Sequence, residues 1–267
     1  MKTGRVMDQK SEIRNQKLPF LVVDVGNSLT KWALATRRAI GRVHELPSIS
    51  RALRGRLGKS LKRSGVGLAV VASVVPSLNA VLRQTLRQRG VRNVHFLSAK
   101  TDLGIGIRYP QPRTIGADRL ANAAAAFHFF GAPSVAIDFG TAVTFDIVSK
   151  KGEYAGGVIC PGLRSMTDYL HEQTALLPRV SLKEPRRMIG KSTVEAMRTG
   201  AVVGFRGLIS EILRDLKKEL HAGRLPVVAT GGYSRLIARK VAGITAVRPK
   251  LTLEGLRLIG LRLLAKK

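Results

Sequence analysis

The residues best placed to do chemistry are four aspartates that lie inside or at the ends of apolar segments: Asp24, Asp118, Asp138 and Asp146. The chain carries 17 acidic residues against 46 basic ones. A carboxylate that ends a buried strand is costly to desolvate unless it meets a cation, a hydrogen-bond donor or water. We therefore take these four acids as the first candidates for a functional site.

Two of the four acids belong to a repeated pattern of strand, Asp-x-Gly turn and strand. The segments LVVDVGNSLTKWALA, around Asp24, and VAIDFGTAVTFDIV, around Asp138, align on the aspartate and on the glycine two residues later, and the same alignment matches Thr30 with Thr144. Each segment predicts a hairpin. We expect two copies of one unit, each offering a carboxylate and a glycine-loosened turn to a shared cleft.

Asp118 follows a long loop and opens a helix. The loop, residues 98 to 113, is rich in glycine and proline, and the segment TIGADRLANAAAAF then predicts Thr114 as an N-cap and a helix from Ala117 to Phe130. Asp118 could simply complement the helix dipole. Alternatively, Asp118 and Arg119 face a cleft at the helix N-terminus, where an anion would be welcome. Position alone favours the first interpretation.

The remaining elements follow from apolar periodicity and turn residues. We predict strands near 67–72, 94–97, 153–159 and 226–229, and helices near 49–63, 76–89, 163–175 and 192–220, from 233 and from 253. In the long helix, Gly200, Gly204 and Gly207 are spaced for close packing. Two Gly-Lys-Ser segments lack the first glycine of a Walker A loop, which excludes a P-loop enzyme.

Length and composition indicate a folded protein with room for one large or two small domains. The chain has 267 residues, of which 45% are hydrophobic. Cys160 is the single cysteine and the five histidines lack zinc spacing, so neither a disulfide framework nor a zinc site is expected. No signal peptide or membrane span is apparent. These features fit the reducing cytoplasm.

The formal net charge of +29 is extreme. Such a charge is typical of nucleic-acid-binding proteins. However, the basic residues are spread through the predicted helices, and few aromatic residues lie among them to form a stacking platform. We expect a solvated basic surface that binds nucleic acid at most non-specifically and helps an anionic substrate to reach its cleft.

Several segments, in this order, closely resemble type III pantothenate kinases from about Leu18 to the end of the chain. They are DVGNSLTKWALA, VVASVVPSLN, GIRYPQPRTIGADRLANA, AIDFGTAVTFDIV, GGVICPGLRSM, LPRV, IGKSTVEAMRTG, ATGGYS and LTLEGLRLI. The resemblance implies an α/β fold of the actin-like ATPase superfamily, with two ribonuclease H-like domains and a nucleotide cleft between them. From the repeat and the Gly131-Ala132-Pro133 turn we predict domains at 18–132 and 133–267, after a basic flexible extension of residues 1–17 that the family does not imply.

The same resemblance implies a reaction and a set of partners. Members of this family phosphorylate the terminal hydroxyl of pantothenate with ATP, the first step of coenzyme A biosynthesis. They use Mg²⁺ together with a monovalent cation, K⁺ or NH₄⁺, and form homodimers with pantothenate near the dimer interface.

The resemblance also assigns roles to individual residues. Asp118 would be the general base and Asp138 would hold the monovalent cation. From the chemistry of the reaction we expect an ordinary pKa for this base, which keeps it ionised at neutral pH. Asp24 would lie near the magnesium. The ATP and phosphate contacts would be Asp24, Val25, Gly26, Asn27, Ser28, Leu29, Thr30, Lys31 and Thr141. The pantothenate contacts would be Tyr109, Gly116, Ala117, Asp118, Arg119 and Thr193.

Three functions remain open from the sequence. The first is the pantothenate kinase. The second is a non-catalytic or moonlighting regulator that binds nucleic acid, which is motivated by the charge and would be expected to have lost the site acids. The third is a kinase of the same fold for another small hydroxylated acid.

Overall fold

A computed structural model of the chain describes residues 19–49, 53–61 and 65–266. These residues form two compact units. One unit contains the described residues up to Asp102 and from Leu256 onward, and the other is Leu103–Gly255. The predicted extension of residues 1–17 lies outside the described residues. Within the described ranges, no helix is both long enough and apolar enough to cross a membrane.

The first unit is built on a sheet whose described strands have the order β3-β2-β1-β4-β5. These strands are β1 (Phe20–Val25), β2 (Leu29–Ala35), β3 (His44–Pro47), β4 (Leu68–Ser73) and β5 (Asn93–Phe96). β1 pairs antiparallel with β2 and parallel with β4. Because β1 and β4 are covered on both faces, they are near-continuous apolar runs rather than alternating ones.

Helices in the first unit cover the sheet with leucine side chains. The helical segments of this part of the chain are a π-helical turn (Leu53–Leu57), α1 (Gly58–Ser60) and α2 (Pro76–Arg87). α2 begins with a proline, whose missing N–H would have no helical partner at this position. The predicted helix at 76–89 is confirmed, and of the predicted helix at 49–63 the structure shows residues 53–60 as helical.

The second unit is built on a sheet whose described strands have the order β11-β10-β7-β8-β9-β6. These strands are β6 (Gly106–Ile107), β7 (Ser134–Phe139), β8 (Ala142–Val148), β9 (Glu153–Pro161), β10 (Val227–Thr230) and β11 (Ala246–Val247). The helices from here to the end of the chain are α3 (Ala117–Phe130), α4 (Leu163–Gln173), α5 (Thr193–Glu219), α6 (Ser234–Ala238) and α7 (Leu251–Ala265).

The two faces of the hairpin formed by β7 and β8 differ in chemistry. Alternate residues of a strand point to opposite faces. One set, Val135, Ile137, Phe139, Val143, Phe145 and Ile147, joins the core that contains Phe205 of α5. The other set includes Ala136, which packs with Ala125 and Ala126 of α3, and in register with it the acids Asp138 and Asp146. The polar positions therefore share the face on which the alanine-rich helix packs.

Both predicted hairpins are confirmed, but the alignment of Thr30 with Thr144 is wrong. β1 and β2 place Asp24 opposite Lys31, whereas β7 and β8 place Asp138 opposite Thr144. Lys31 is therefore the structural counterpart of Thr144.

The physical reason is that the second turn is one residue shorter. In the first hairpin the amide of Gly26 donates to the carbonyl oxygen of Leu29 at 3.1 Å. In the second hairpin the amide of Gly140 donates to the carbonyl oxygen of Ala142 at 3.2 Å, so Thr141 alone forms the tip. When two repeats have turns of different length, identical residues aligned across those turns do not occupy equivalent positions.

Two local predictions are also wrong. The N-cap of α3 is Gly116 and not Thr114, whose hydroxyl instead donates to the carbonyl oxygen of Gln111 at 2.8 Å. The three glycines of α5, Gly200, Gly204 and Gly207, do not serve close packing among the described residues, since a Cβ atom at each would have no neighbour within 4 Å.

The compact units are not bounded where the predicted domains are. α3 precedes the predicted boundary at 132/133, yet it packs on β7 and β8 within the second unit. The division into 18–132 and 133–267 follows the sequence repeat and stays a prediction.

A buried arginine holds the loop between α4 and α5. Arg206 donates to both carboxylate oxygens of Glu184, at 3.1 and 2.5 Å, and to the carbonyl oxygen of Leu236 at 2.7 Å. Lys240 lies 2.9 Å from the same carboxylate. The hydrogen bonds from Arg206 and Lys240 lower the pKa of Glu184 to about 2.

We expect Glu184→Gln to remove a pH-dependent part of the stability. The pKa of Glu184 is lower in the folded than in the unfolded chain, so its stabilisation is present above the unfolded value of about 4.3 and is lost as the pH falls toward about 2. The side chain is 44% exposed, so we expect a loss of only about 1 kcal/mol at pH 7. Urea unfolding of wild type and variant at pH 7 and pH 3 measures the difference, which should shrink at pH 3. Exposed Glu172→Gln is the control, and a difference that grows at low pH would contradict the assignment.

Candidate functional site

The first hairpin exposes its turn while its base is fixed. Asp24 is half-buried near the end of β1, and Asn27 and Ser28 are exposed. Thr30 is fully buried, with its hydroxyl 2.9 Å from that of Ser48. The hydroxyl of Thr30 therefore fixes the base of the turn, and the side chains of Asn27 and Ser28 lie exposed to solvent.

The second hairpin carries Asp138 at the corresponding position of its first strand. Asp138 is half-buried, and the side-chain amide of Asn122 lies 3.5 Å from its Oδ2 atom. The Oδ1 atom of Asn122 in turn accepts a hydrogen bond of 2.9 Å from the hydroxyl of Thr252, at the start of α7. The orientation of this amide is thus fixed by a buried partner, and Asn122 offers Asp138 an N–H group.

The turn after β10 closes over Asp138. β10 pairs with β7 so that Thr230 lies beside Asp138, and Gly231 follows with a φ of 86°. A Cβ atom on Gly231 would lie 2.5 Å from Oδ1 of Asp138 and 2.6 Å from the backbone nitrogen of Phe139. Only glycine leaves this space open. The site offers a carboxylate in a close cradle, and oxygen ligands of this kind suit hard cations.

Thr141 is exposed at the tip of the second hairpin and is supported from beneath. Its carbonyl oxygen accepts a hydrogen bond of 3.1 Å from the amide of Gly162. A Cβ atom on Gly162 would lie 2.2 Å from that oxygen. The Cys160-Pro161-Gly162 segment therefore fixes the backbone of Thr141, and the Thr141 side chain is exposed to solvent.

Asp118 lies in the first turn of α3. Its Oδ1 atom accepts a hydrogen bond of 2.8 Å from the backbone amide of Arg119. Burial raises the pKa of Asp118 above its ordinary value, since desolvation disfavours the charged form and outweighs the opposing effect of that hydrogen bond. The expectation of an ordinary pKa is therefore wrong.

Arg119 extends from the same turn to the buried carboxylate of Asp146. The Nε atom donates to Oδ1 of Asp146 at 2.6 Å, and Nη2 donates to the carbonyl oxygen of Phe145 at 3.1 Å. Asp146 has no exposed surface, and this burial raises its pKa to about 7 against the opposing charge of Arg119. The guanidinium carbon lies 5.9 Å from the centre of the Tyr154 ring.

Tyr109 joins the same cluster from the preceding loop. Its ring meets that of Tyr154 edge-on at 6.0 Å. Gly156 of β9, with a φ of 124°, lets the Tyr109 ring lie 3.6 Å from the position of a Cβ atom. Asp118, Arg119 and Tyr109 are therefore brought together through Tyr154.

The other predicted contacts are placed differently. Gly116 and Ala117 form the N-terminus of α3, next to Asp118 in the chain. Thr193 is the exposed first residue of α5, following the N-cap Ser192. No described contact joins Thr193 to Asp118.

Sequence reasoning missed four residues of this site: Asn122, Tyr154, Gly157 and Gly231. A Cβ atom on Gly157 would lie 1.9 Å from the carbonyl oxygen of Phe145 and 2.1 Å from Nη2 of Arg119. A glycine inside a strand can mark such a close approach, so Gly156-Gly157 in β9 was a usable signal. The Gly231-Gly232 pair after a predicted strand was also a signal, since it could cradle a nucleotide or simply form a turn. Asn122 and Tyr154 are recognisable only through partners that are distant in sequence.

Comparison with known proteins gives a consistent result. Residues 20–215 match the family model described as type III pantothenate kinase. A type III pantothenate kinase of Akkermansia muciniphila is 48% identical over 90% of this chain and 98% of its own length. One of Moorella thermoacetica is 40% identical over 90% of this chain and 98% of its own.

Solved structures at low identity agree on the fold. A protein named as a Baf family transcriptional activator from Campylobacter jejuni has a TM-score of 0.60 at 19% identity, covering 91% of this chain and 98% of its own. The activator of 2-hydroxyisocaproyl-CoA dehydratase from Clostridium difficile, with bound ADPNP, has a TM-score of 0.54 at 13% identity, covering 93% and 96%. The predicted α/β class is confirmed, with two sheets among the described residues.

We expect Gly231→Ala to disturb the cradle around Asp138 and Gly232→Ala to be tolerated. Alanine at 231 adds a Cβ atom against the carboxylate and forces an L-residue to a φ of 86°. We expect a loss of about 1–3 kcal/mol in the free energy of unfolding. A Cβ atom at position 232 has no neighbour within 4 Å, so the matched variant should lose far less. The free energies of unfolding of the wild type and the two variants are measured in urea. An equal loss of stability in both variants would contradict the described cradle.

Proposed function

The chain belongs to the type III pantothenate kinase family, and on this premise we propose that it phosphorylates pantothenate at a site built around Asp118. As a member of this family the chain is a kinase, and its reaction is the ATP-dependent phosphorylation of pantothenate in coenzyme A biosynthesis. The assignments of individual residues, ions and subunits that follow are parts of the proposal.

The placement of Asp118 carries the proposal. It is a half-buried carboxylate at a helix N-terminus, and it accepts a hydrogen bond from the backbone amide of Arg119. Asp118 would accept the proton of the pantothenate hydroxyl as the new O–P bond forms. Because burial raises the pKa of Asp118, its carboxylate is a stronger base than an ordinary aspartate.

Pantothenate would lie against the N-terminal turn of α3. Gly116 and Ala117 bring the helix N-terminus close to the substrate, where backbone amides lack helical partners. Arg119 and Tyr109 would contact the substrate from the cluster that contains Tyr154. Thr193, exposed at the start of α5, would contribute a hydroxyl.

ATP would be held by the two hairpin turns. The segment Asp24–Lys31 would contact the phosphates through its backbone and the exposed side chains of Asn27 and Ser28, and Thr141 would touch the nucleotide. Magnesium, which binds carboxylate and phosphate oxygens, would lie near Asp24. Phosphoryl transfer has a loose transition state, so positioning and charge neutralisation contribute most of the catalysis.

Asp138 would hold the monovalent cation, K⁺ or NH₄⁺. Its carboxylate in the cradle closed by Gly231 supports this assignment, because a side chain there would fill the space. When bound, the cation supplies positive charge that offsets the charge of the phosphates. Asn122 would hold the carboxylate in place.

A homodimer is supported by apolar side chains left on the surface. Met166, Tyr169 and Leu170 of α4 and the nearby Leu176 are exposed by 37%, 66%, 39% and 90%. Exposed apolar residues this close together often mark an interface. A cytoplasmic location is supported by the single cysteine, which leaves no disulfide framework.

The alternatives are less well supported. All four site acids are present, and three of them have specific partners in the second unit, which a non-catalytic regulator would not require. The charge of +29 favours non-specific contact with nucleic acid, which should weaken steeply with salt. A different hydroxylated acid as substrate is tested directly by the assay below.

We expect Asp118→Asn to lower kcat by about 10²–10⁴-fold, the range for loss of a general base. The amide keeps the shape of the side chain but cannot accept the proton. Purified protein is assayed for ATP-dependent phosphorylation of pantothenate, with Asp215→Asn, 61% exposed on α5, as the control. Folded wild type without turnover on pantothenate would overturn the proposed function, and an unimpaired variant would overturn the role of Asp118.

We expect K⁺ or NH₄⁺ to raise the activity of the wild type and to have little effect on Asp138→Asn. Substitution of the carboxylate removes the charge that attracts the cation. The measurement is initial rate against KCl and NH₄Cl at constant ionic strength, maintained with a tetramethylammonium salt. A variant that keeps the full cation response would show that the ion is held elsewhere.

A further inference from the structure

We propose that Asp146 and Tyr154 are positioning residues, which orient Arg119 so that its Nη1 group donates to a neutral oxygen of pantothenate near the reacting hydroxyl. This inference rests on the proposed function and deepens it. It assigns roles to two residues to which the resemblance gave none.

The first step is the fixed orientation of the guanidinium. Arg119 uses Nε on Asp146 and Nη2 on the carbonyl oxygen of Phe145. These two hydrogen bonds fix the plane of the group, and the side chain is only 13% exposed. Nη1 makes no hydrogen bond to any described residue. The Nη1 edge belongs to a partly exposed, charged side chain, so it is open to a hydrogen-bond acceptor from a ligand.

The second step is the space around the group. Gly157 passes so close to Arg119 that no side chain fits there. The Tyr154 ring lies beside the guanidinium on another side, and Tyr109 meets that ring edge-on. Rotation of the guanidinium is thereby blocked, so Nη1 keeps one direction.

The third step is the charge balance, which decides to what kind of acceptor atom Nη1 donates its hydrogen bond. The positive charge of Arg119 is offset by Asp146 at 2.6 Å, and Asp118 is adjacent in the chain. A substrate carboxylate would be a third acidic group around one guanidinium, next to Asp146 and Asp118. A neutral acceptor, either the secondary hydroxyl or the amide carbonyl of pantothenate, meets no such repulsion.

The fourth step is proximity to the reaction. Arg119 follows Asp118, and the two share the first turn of α3. If Asp118 accepts the proton from the terminal hydroxyl, Arg119 is near that end of pantothenate. The carboxylate is at the opposite end of the molecule.

A purely structural role is the competing explanation. Replacing a buried ion pair by apolar residues is often neutral or stabilising, so stability alone is a weak reason for this pair. A structural role predicts a loss of stability with no preference between substrates. A positioning role predicts a loss that depends on Arg119 and falls on pantothenate rather than on ATP.

The test compares steady-state kinetics of wild type, Asp146→Asn, Tyr154→Leu, Arg119→Lys and the double variant Asp146→Asn with Arg119→Lys. We expect Asp146→Asn to lower kcat/KM for pantothenate about 10- to 100-fold, the effect of losing a hydrogen bond to a charged group. KM for ATP should stay within about twofold. The double variant should be little worse than Arg119→Lys alone, because Asp146 acts through Arg119. Tyr154→Leu is a second route to the same loss if Asp146→Asn folds poorly, and Asp215→Asn is the control.

Pantothenol, in which an alcohol replaces the carboxylate, identifies the acceptor. We expect Asp146→Asn to weaken pantothenol, as a substrate or competitive inhibitor, as much as it weakens pantothenate. A loss confined to pantothenate would overturn the neutral acceptor in favour of the carboxylate. Additive losses in the double variant, or folded variants with unchanged kinetics, would overturn the positioning role while leaving the proposed function intact. Wild type inactive on pantothenate would overturn both.

Discussion

The site of the second unit depends on the burial of two carboxylates on one face of a hairpin. Strand alternation places Asp138 and Asp146 on the face of β7 and β8 on which α3 packs, while the other face forms the apolar core with α5. Charge on a covered face must be met by donors. Arg119 and Asn122, three residues apart on α3, meet Asp146 and Asp138 respectively. One helical turn thus compensates both acids, and the alanines that follow bring the helix close enough to do so.

The two hairpins share a plan and differ where their chemistry differs. Each has an aspartate at the fifth position of a six-residue strand, half-buried in an otherwise buried run. The longer turn of the first copy exposes Asn27 and Ser28 and sets Lys31 across from the acid. The shorter turn of the second copy has only Thr141 at its tip, and Gly231 closes over the acid instead. Hydroxyl, amide and ammonium groups suit phosphate, whereas a closed carboxylate suits a cation.

Most of the fold and part of the candidate site could be predicted from local sequence patterns. The hairpins, the helix from Ala117 to Phe130 and the four acids were all predictable, because apolar periodicity and a charge inside an apolar run are local signals. The partners were not predictable, since Tyr154 and Gly231 reach the site through strand pairing over long separations. The alignment of Thr30 with Thr144 was wrong because the turn of the second hairpin is one residue shorter than that of the first. The pKa of Asp118 was misjudged because burial is a property of the packed state.

Gly157 illustrates how enclosure can constrain a position as strongly as contact with a ligand. Gly157 has no functional group, yet the backbone of Phe145 and the guanidinium of Arg119 occupy the position that a Cβ atom would take. Even a methyl group there would displace the arginine from Asp146. A relative with any larger residue at this position would therefore need a different orientation of the arginine.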